Sequence, residues 1–143
     1  MDKDTQAIVQ DINRIVQAQE WFDFQVVEYV IDRLVIGGGA DLTYGHSLEL
    51  VFEEVFFYSG VITGWHTDTR KPMITTPEGN ELIELNMRFE VQAGYQLFVI
   101  HPEDFKSKIY VAAMRLTFNT DAVYYYQREN LKQNERIAGF VKK

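Results

Sequence analysis

The segment Gly64–Arg70, with the sequence GWHTDTR, brings an imidazole, a carboxylate and a guanidinium close together in the chain. On an extended segment His66 and Asp68 point the same way, so the carboxylate lies close enough to orient the imidazole. Arg70 continues the same face and would suit a bound anion. These residues are the first candidates for a small-molecule site or an enzyme active site.

A catalytic dyad also needs a nucleophile, and the nearby hydroxyls do not supply one. Thr67 and Thr69 would point to the other face of an extended segment from His66. We therefore favour a polar loop that follows a strand and is anchored by burial of Trp65. A polar site that extends to His101 remains the alternative.

The three histidines, His46, His66 and His101, each fall beside a turn at a predicted strand end. Three imidazoles could make an open zinc site. If Ser59-Gly60 is a hairpin turn, however, His66 lies opposite Phe52, and His46 is about six residues, or on the order of 20 Å, further along. The histidines also lack HxxxH or HxH spacing. We predict no metal site and no cofactor.

Acidic pairs and aromatic clusters offer a different kind of site. Glu53-Glu54 and Glu103-Asp104 are adjacent in the chain, so on a strand each pair points to opposite faces and is best read as solvated. Phe56-Phe57-Tyr58 and Tyr124-Tyr125-Tyr126 place rings on both sides of their elements. Either a protein partner or a two-sided core could cover these rings, and the sequence leaves both open.

Composition narrows the class of protein. The chain has 143 residues, the usual size of one domain, and 14 Lys and Arg against 21 Asp and Glu give a net charge of -7, which repels nucleic acid and anionic membranes. The absence of Cys excludes disulfides, thiolate metal sites and cysteine nucleophiles. The acidic start does not resemble a secretory signal, and no apolar run approaches the ~20 residues of a membrane span. We expect one cytoplasmic domain over residues 1–143.

Residue spacing predicts an α+β fold, with a single antiparallel sheet of about six strands, an N-terminal helix and a C-terminal helix. Between Asp4 and Gln19, apolar residues recur at helical spacing. Alternation or a high content of β-branched and aromatic residues predicts the strands. They are residues 21–36, 47–58 with a bulge at Glu53-Glu54, 61–65, 81–91, 95–100 and 109–118.

The remaining segments are assigned as connections or as the terminal helix. Gly37–Gly39 lacks the Lys-Ser/Thr of a phosphate loop and is interpreted as a turn that ends the first strand. Residues 67–80 read as a long loop. After a capping cluster, Ala122–Ile137 is predicted to be a polar helix, although its three tyrosines could begin a strand instead.

The order of these elements resembles a group of small bacterial proteins that includes immunity proteins of polymorphic toxin systems. The similarity covers about half of the chain and lies in WFDFQVVEYVID, an aromatic-Asp start to a first strand, and in LELVFEEVFFYSG, a strand with a central Phe-Glu-x-Val. That group commonly has Phe-His-Asp where this chain has Phe22-Asp23-Phe24. The resemblance implies a small acidic cytosolic protein that binds a toxin domain.

Two hypotheses follow for function. The first is a non-enzymatic binding protein that contacts a protein partner, or a second copy of itself, through an acidic and aromatic face of its sheet. The candidate contact residues are Glu53, Glu54, Phe57 and Tyr58. The second is a small-molecule-binding protein or enzyme with a polar site, whose candidate residues are Trp65, His66, Asp68 and Arg70.

Overall fold

Two helices and ten strands form the part of the chain that the computed structural model describes, residues 3–142. In chain order they are α1 (Lys3–Gln17), β1 (Phe22–Val30), β2 (Arg33–Gly39), β3 (Gly45–His46), β4 (Leu48–Ser59), β5 (Trp65–Thr67), β6 (Ile74–Thr75), α2 (Gly79–Arg88), β7 (Gln96–Ile100), β8 (Ile109–Asn119), β9 (Ala122–Tyr124) and β10 (Glu135–Ile137). Seven strands form one antiparallel sheet, curled into a half-barrel, in the order β5-β1-β2-β4-β8-β7-β6. The predicted α+β class is confirmed, and the large sheet has seven strands instead of about six.

Helix α1 forms where the apolar spacing predicts it, and it packs on the main core of the sheet. Ile12 and Val16 are fully buried. Asn13 fixes the position of the helix, because its side-chain oxygen accepts the backbone N–H groups of Met73 and Ile74 at 2.9 and 3.2 Å. The helix is thereby attached to strand β6. None of the helices in residues 3–142 is long and apolar enough to cross a membrane.

The segment predicted as one strand over residues 21–36 is a hairpin of β1 and β2. The two strands pair from Asp23 opposite Gly39 to Val30 opposite Arg33, which leaves a two-residue turn at Ile31-Asp32. Such turns favour glycine or asparagine where the backbone angle φ is positive. The prediction missed this turn because it contains a β-branched residue where glycine is expected.

The glycine run Gly37–Gly39 is part of strand β2 and is buried, so it does not form the predicted turn. The reason is the close approach of aromatic rings. A Cβ added to Gly38 would lie 2.4 Å from a ring carbon of Phe24 and 2.6 Å from one of Phe22. Both rings are buried in the main core, so a side chain at this position has no space.

Strand β5 does not form the predicted hairpin with β4. Both edges of β4 are already occupied, by β2 on one side and by β8 on the other. The chain after Gly60 therefore crosses to the free edge of β1, where Trp65 lies opposite Phe24 and His66 lies opposite Asp23. The predicted register of His66 against Phe52 is accordingly wrong.

Residues 81–91 were expected to be a strand and are instead mostly helix α2. The alternating apolar residues also fit helical spacing, because Leu82, Leu85 and Phe89 recur at intervals of three and four. These three side chains pack on the outer face of the sheet, whereas Ile83 and Met87 remain exposed. The next two predicted strands are confirmed as β7 and β8, which pair antiparallel.

The predicted C-terminal helix over Ala122–Ile137 is also wrong. Strand β9 pairs antiparallel with β3 and parallel with β10, so the chain forms a second, three-stranded sheet. A surface helix needs an apolar stripe to bury. Residues 126–134 contain Leu131 as their one aliphatic side chain and are exposed throughout, whereas Val123 is buried in β9.

Replacement of a β2 glycine tests the burial of this strand. We expect Gly38→Ala to lower the free energy of unfolding by about 1–3 kcal/mol, because its methyl group would overpack the two phenylalanine rings. Urea denaturation followed by circular dichroism measures the change. Gly139→Ala is the control: a Cβ there meets nothing within 4 Å, and the change should stay below about 0.5 kcal/mol. Equal stability of the two variants would contradict the packing described for Gly38.

Candidate functional site

Strand β5 places His66 between two carboxylates. The imidazole Nδ1 lies 2.8 Å from Asp23 Oδ1, and Nε2 lies 3.1 Å from Glu103 Oε2. The Trp21 ring stacks on the imidazole with centroids 4.0 Å apart and donates its indole N–H to Asp23 at 3.0 Å. Asp68 was expected to orient the imidazole. Asp23, which is distant in sequence, takes that role instead.

Asp68 and Arg70 bind each other. Arg70 Nε and its terminal nitrogen donate to the two oxygens of Asp68 at 3.0 and 3.2 Å, and the Arg70 backbone N–H donates to the same carboxylate. These hydrogen bonds lower the pKa of Asp68 to about 2. Arg70 was predicted to bind an external anion. Its guanidinium instead binds the Asp68 carboxylate of the same chain.

The polar residues after β5 nevertheless border a common groove. Asp68, Arg70, His101 and Glu103 line a cavity of about 600 Å³. His101 Nε2 lies 2.7 Å from the Thr75 hydroxyl, and burial, followed by the charge of a nearby lysine, lowers the pKa of His101. The groove brings together both charge signs and an imidazole, although its named side chains already have partners in the chain.

Trp65 lies on the other side of β5 and belongs to the main core. Its ring is buried and stacks on Phe24 with centroids 6.0 Å apart. The indole nitrogen of Trp65 and the hydroxyl of Thr67 are buried without a hydrogen-bond partner among residues 3–142. Trp65 therefore anchors the strand and does not face the groove beside His66.

The tip of the β1–β2 hairpin exposes three consecutive apolar residues. Tyr29, Val30 and Ile31 have exposed fractions of 58%, 53% and 87%. Ile31 also has φ of 57°, in the left-handed region that a β-branched residue rarely adopts. Ile31 thus combines a solvent-exposed aliphatic side chain with an unfavourable backbone conformation.

Two of the predicted acidic residues lie next to this tip. The Asp32 carbonyl accepts the Val55 backbone N–H at 2.9 Å, which brings the turn against the bulge in β4. The register with β8 shifts between Val55 and Phe57, so the bulge lies just after the predicted position at Glu53-Glu54, and Glu54 beside it has φ of 52°. Glu53 and Glu54 both bind Arg115, so the predicted separation to opposite faces does not occur.

The predicted aromatic contact residues are covered by other parts of the chain. Phe57 stacks on Phe89, which follows α2, with centroids 4.4 Å apart. The Tyr58 hydroxyl donates to the Val61 carbonyl at 2.6 Å, and burial raises the pKa of Tyr58 to about 12. A two-sided core, one of the two alternatives left open above, therefore accounts for both rings.

A buried polar network joins the two sheets, and no sequence pattern indicated it. His46 Nε2 lies 2.7 Å from Glu49 Oε2, and its Nδ1 lies 2.7 Å from the Tyr125 hydroxyl. Gln25 donates to the Tyr125 oxygen at 3.1 Å. Glu49 is an acceptor only, so His46 Nε2–H donates to it, and the Tyr125 hydroxyl donates to Nδ1.

Glu49 also binds Arg136 of β10 and Asn119 of β8. Burial opposes ionisation of Glu49, but the hydrogen bonds from His46 and Asn119 and the charge of Arg136 together lower its pKa to about 2. Because side chains alternate along β4, Glu49 points to the face opposite the core residues Leu48 and Leu50. Such a position is usually solvated. Glu49 is buried because the small sheet, which the sequence did not predict, packs against it.

Comparisons of the chain with protein-family models, with curated proteins and with solved structures found no match. Among residues 3–142, no group of three or more acidic, histidine or cysteine side chains is arranged to hold a metal ion.

Relief of strain at the hairpin tip is measurable. We expect Ile31→Gly to raise the free energy of unfolding by about 0.5–1 kcal/mol, because glycine avoids the 1–2 kcal/mol cost of a left-handed L-residue and loses part of that gain to chain entropy. Chemical denaturation measures the difference. Val30→Gly, one residue earlier in regular β1, should instead be destabilising. A loss of stability in both variants would argue against strain at Ile31.

The lowered pKa of Glu49 makes an acid-stability prediction. Its ionised form stabilises the fold above its ordinary pKa of 4.5, and this contribution is lost as the pH falls towards about 2. We expect Glu49→Gln to be less stable at neutral pH by about 3 kcal/mol and to lose less stability than the wild type between about pH 5 and pH 2. Denaturation across that pH range is the measurement. Glu20→Gln, at an exposed acid, should retain the wild-type profile; the same profile in Glu49→Gln would show that Glu49 carries no such contribution.

Proposed function

We propose that this chain is a non-enzymatic cytoplasmic binding protein that contacts a basic protein surface through the tip of its β1–β2 hairpin. The observation that carries the proposal is Ile31, which is 87% exposed and held in left-handed backbone. Strained residues concentrate at ligand and partner contacts, where function maintains a conformation that stability alone disfavours. Single exposed apolar residues are ordinary, but three consecutive ones on a projecting turn are characteristic of a contact surface.

The charge around the tip supports a basic partner. Glu28 and Asp32 lie on the hairpin, and Glu53 and Glu54 lie on the part of β4 that the turn contacts. The two arginines paired with these acids, Arg33 and Arg115, leave an acidic surplus. An apolar centre with a charged rim is the usual anatomy of a protein interface. The net charge of -7 would also accelerate encounter with a basic surface at low salt.

The sequence resemblance to immunity proteins supplies a partner class for this proposal, namely a toxin domain. Nuclease toxins are commonly basic, so the acidic rim agrees in sign with such a partner. Neutralisation would then follow from occupation of the toxin surface, and no catalytic group of this chain would be needed. A second copy of the chain is the other partner considered, and the experiment below separates the two.

A small-molecule function is favoured by one observation, the cavity of about 600 Å³ beside Asp68, Arg70 and His101. The hydrogen bonds between Asp68 and Arg70 weigh against it, because a ligand would first have to break them. The hairpin tip plays no part in such a function. Substitution at the tip therefore distinguishes the two proposals.

Cross-linking at position 31 tests the proposed contact. A photoreactive phenylalanine analogue at position 31, introduced in the cells that produce the chain, should cross-link to a discrete partner identified by mass spectrometry. The same analogue at Ile83, an exposed aliphatic position on α2, should not. For the purified partner, Ile31→Asp should raise the Kd roughly tenfold or more, as for an interface centre, and Ile83→Asp should leave it unchanged.

The outcomes separate the alternatives. If the cross-linked species is a dimer of this chain, sedimentation should show that Ile31→Asp converts it to monomer, and the proposal of a foreign partner would be abandoned. Equal cross-linking at positions 31 and 83, or an unchanged Kd in Ile31→Asp, would overturn the assignment of the tip as the contact surface.

A further inference from the structure

Three tyrosines form a concave aromatic surface at the small sheet, at the opposite end of β2 from the hairpin tip. The rings of Tyr44 and Tyr126 stand at 88° with centroids 6.3 Å apart, and those of Tyr124 and Tyr126 at 61° with centroids 5.6 Å apart. Tyr44 and Tyr126 are exposed. The three rings, with Asp41, line a cavity of about 350 Å³. We call this group the tyrosine cage.

A cation of the chain itself lies on one ring of the tyrosine cage. The guanidinium carbon of Arg128 lies 4.3 Å from the centroid of the Tyr124 ring, and a terminal nitrogen of Arg128 donates to the Tyr126 hydroxyl at 3.0 Å. Aromatic faces attract cations at this distance. Tyr124 and Tyr126 therefore already contact a guanidinium group within the chain.

Carboxylates strengthen the preference of the tyrosine cage for positive charge. Glu135 accepts the Tyr124 hydroxyl at 2.6 Å, and this hydrogen bond lowers the pKa of Glu135. Asp41 borders the same cavity, and the backbone N–H of Thr43 donates to its side chain. Rings that present their π-faces beside ionised carboxylates are the usual surroundings of a bound guanidinium or ammonium group.

The loop that carries Arg128 offers little resistance to its displacement. Residues 126–134 are exposed throughout and lie outside any helix or strand. The hydrogen bond from Arg128 to Tyr126 is itself exposed, so water can replace it at small cost. An external cation can therefore compete with Arg128 without unfolding β9 or β10.

We propose that Tyr44, Tyr124 and Tyr126 form a binding site for a guanidinium or ammonium group and that Arg128 is its internal competitor. The ligand is either a basic side chain of a peptide or protein, or a free organic cation. This inference does not depend on the hairpin tip. The three tyrosines lie at the small sheet, at the end of β2 opposite the tip. Failure of the tip experiment would leave it standing.

The test uses a charged probe and its neutral isostere. N-acetylarginine methylamide and N-acetylcitrulline methylamide have nearly the same shape, but only the first is a cation. Binding is followed by NMR titration of the tyrosine ring resonances. We expect Arg128→Gln to bind the arginine probe roughly two- to fivefold more tightly than the wild type does, the gain that an exposed cation–π competitor would withhold.

Two further variants control the interpretation. Lys132→Gln removes the same charge from the same loop but leaves Arg128 on Tyr124, so its affinity should match the wild type. Tyr126→Leu should abolish binding, and circular dichroism will verify that it is folded. Because Arg128 and Lys132 are both exposed, their comparison remains decisive even if Tyr126→Leu does not fold.

The results can overturn the proposal in three ways: the citrulline probe binds as tightly as the arginine probe, Arg128→Gln binds no more tightly than Lys132→Gln, or Arg128→Gln does not bind the cation. Tetramethylammonium identifies the source of the ligand. Tighter binding of the arginine probe indicates a peptide or protein side chain, and tighter binding of tetramethylammonium indicates a small quaternary cation. Either preference supports a site for positive charge.

Discussion

Strand β4 is paired along both edges, with β2 and with β8, and both of its faces are covered. A carboxylate on such a strand loses its water and needs partners within the protein. Glu49 finds them in His46, Asn119 and Arg136, which come from β3, β8 and β10. Burial of Glu49 thus explains why polar residues of the small second sheet point inwards. The pairing of both β4 edges also sends the chain after β4 to the edge of β1, which sets the neighbours of His66.

The surfaces proposed for binding lie where this covering ends. Helix α2 covers one part of the outer face of the sheet, and the small sheet covers another. Ile31 at the hairpin tip remains in solvent, and the turn is attached to β4 through Asp32 and Val55. The tyrosine cage lies on the outer side of the small sheet, beyond the buried His46 network. Both surfaces adjoin strands whose other side is held in a core, and their apolar groups remain exposed.

Local patterns predicted an element correctly where one of its faces is buried. They failed where burial depends on residues distant in the chain. The helical spacing of Ile12 and Val16 predicted α1, and alternation predicted β7 and β8. The pattern of residues 81–91 fits a strand and a helix equally well, and packing of Leu85 on the outer face selects the helix. The polar candidates after β5 do border one groove, but the carboxylate that holds His66 is Asp23, a partner that no spacing within the segment could indicate.

Composition and periodicity alone determined an acidic α+β chain without cysteine chemistry, with an N-terminal helix and a largely antiparallel sheet, because those properties depend on residue counts and on contacts a few positions apart. The tertiary structure decided which carboxylates meet which imidazoles, which aromatic rings are covered and where Arg128 rests. Each of these depends on pairs of residues distant in the chain. Such pairs are brought together by strand order, and strand order follows from which edges and faces remain free after the rest of the chain has packed.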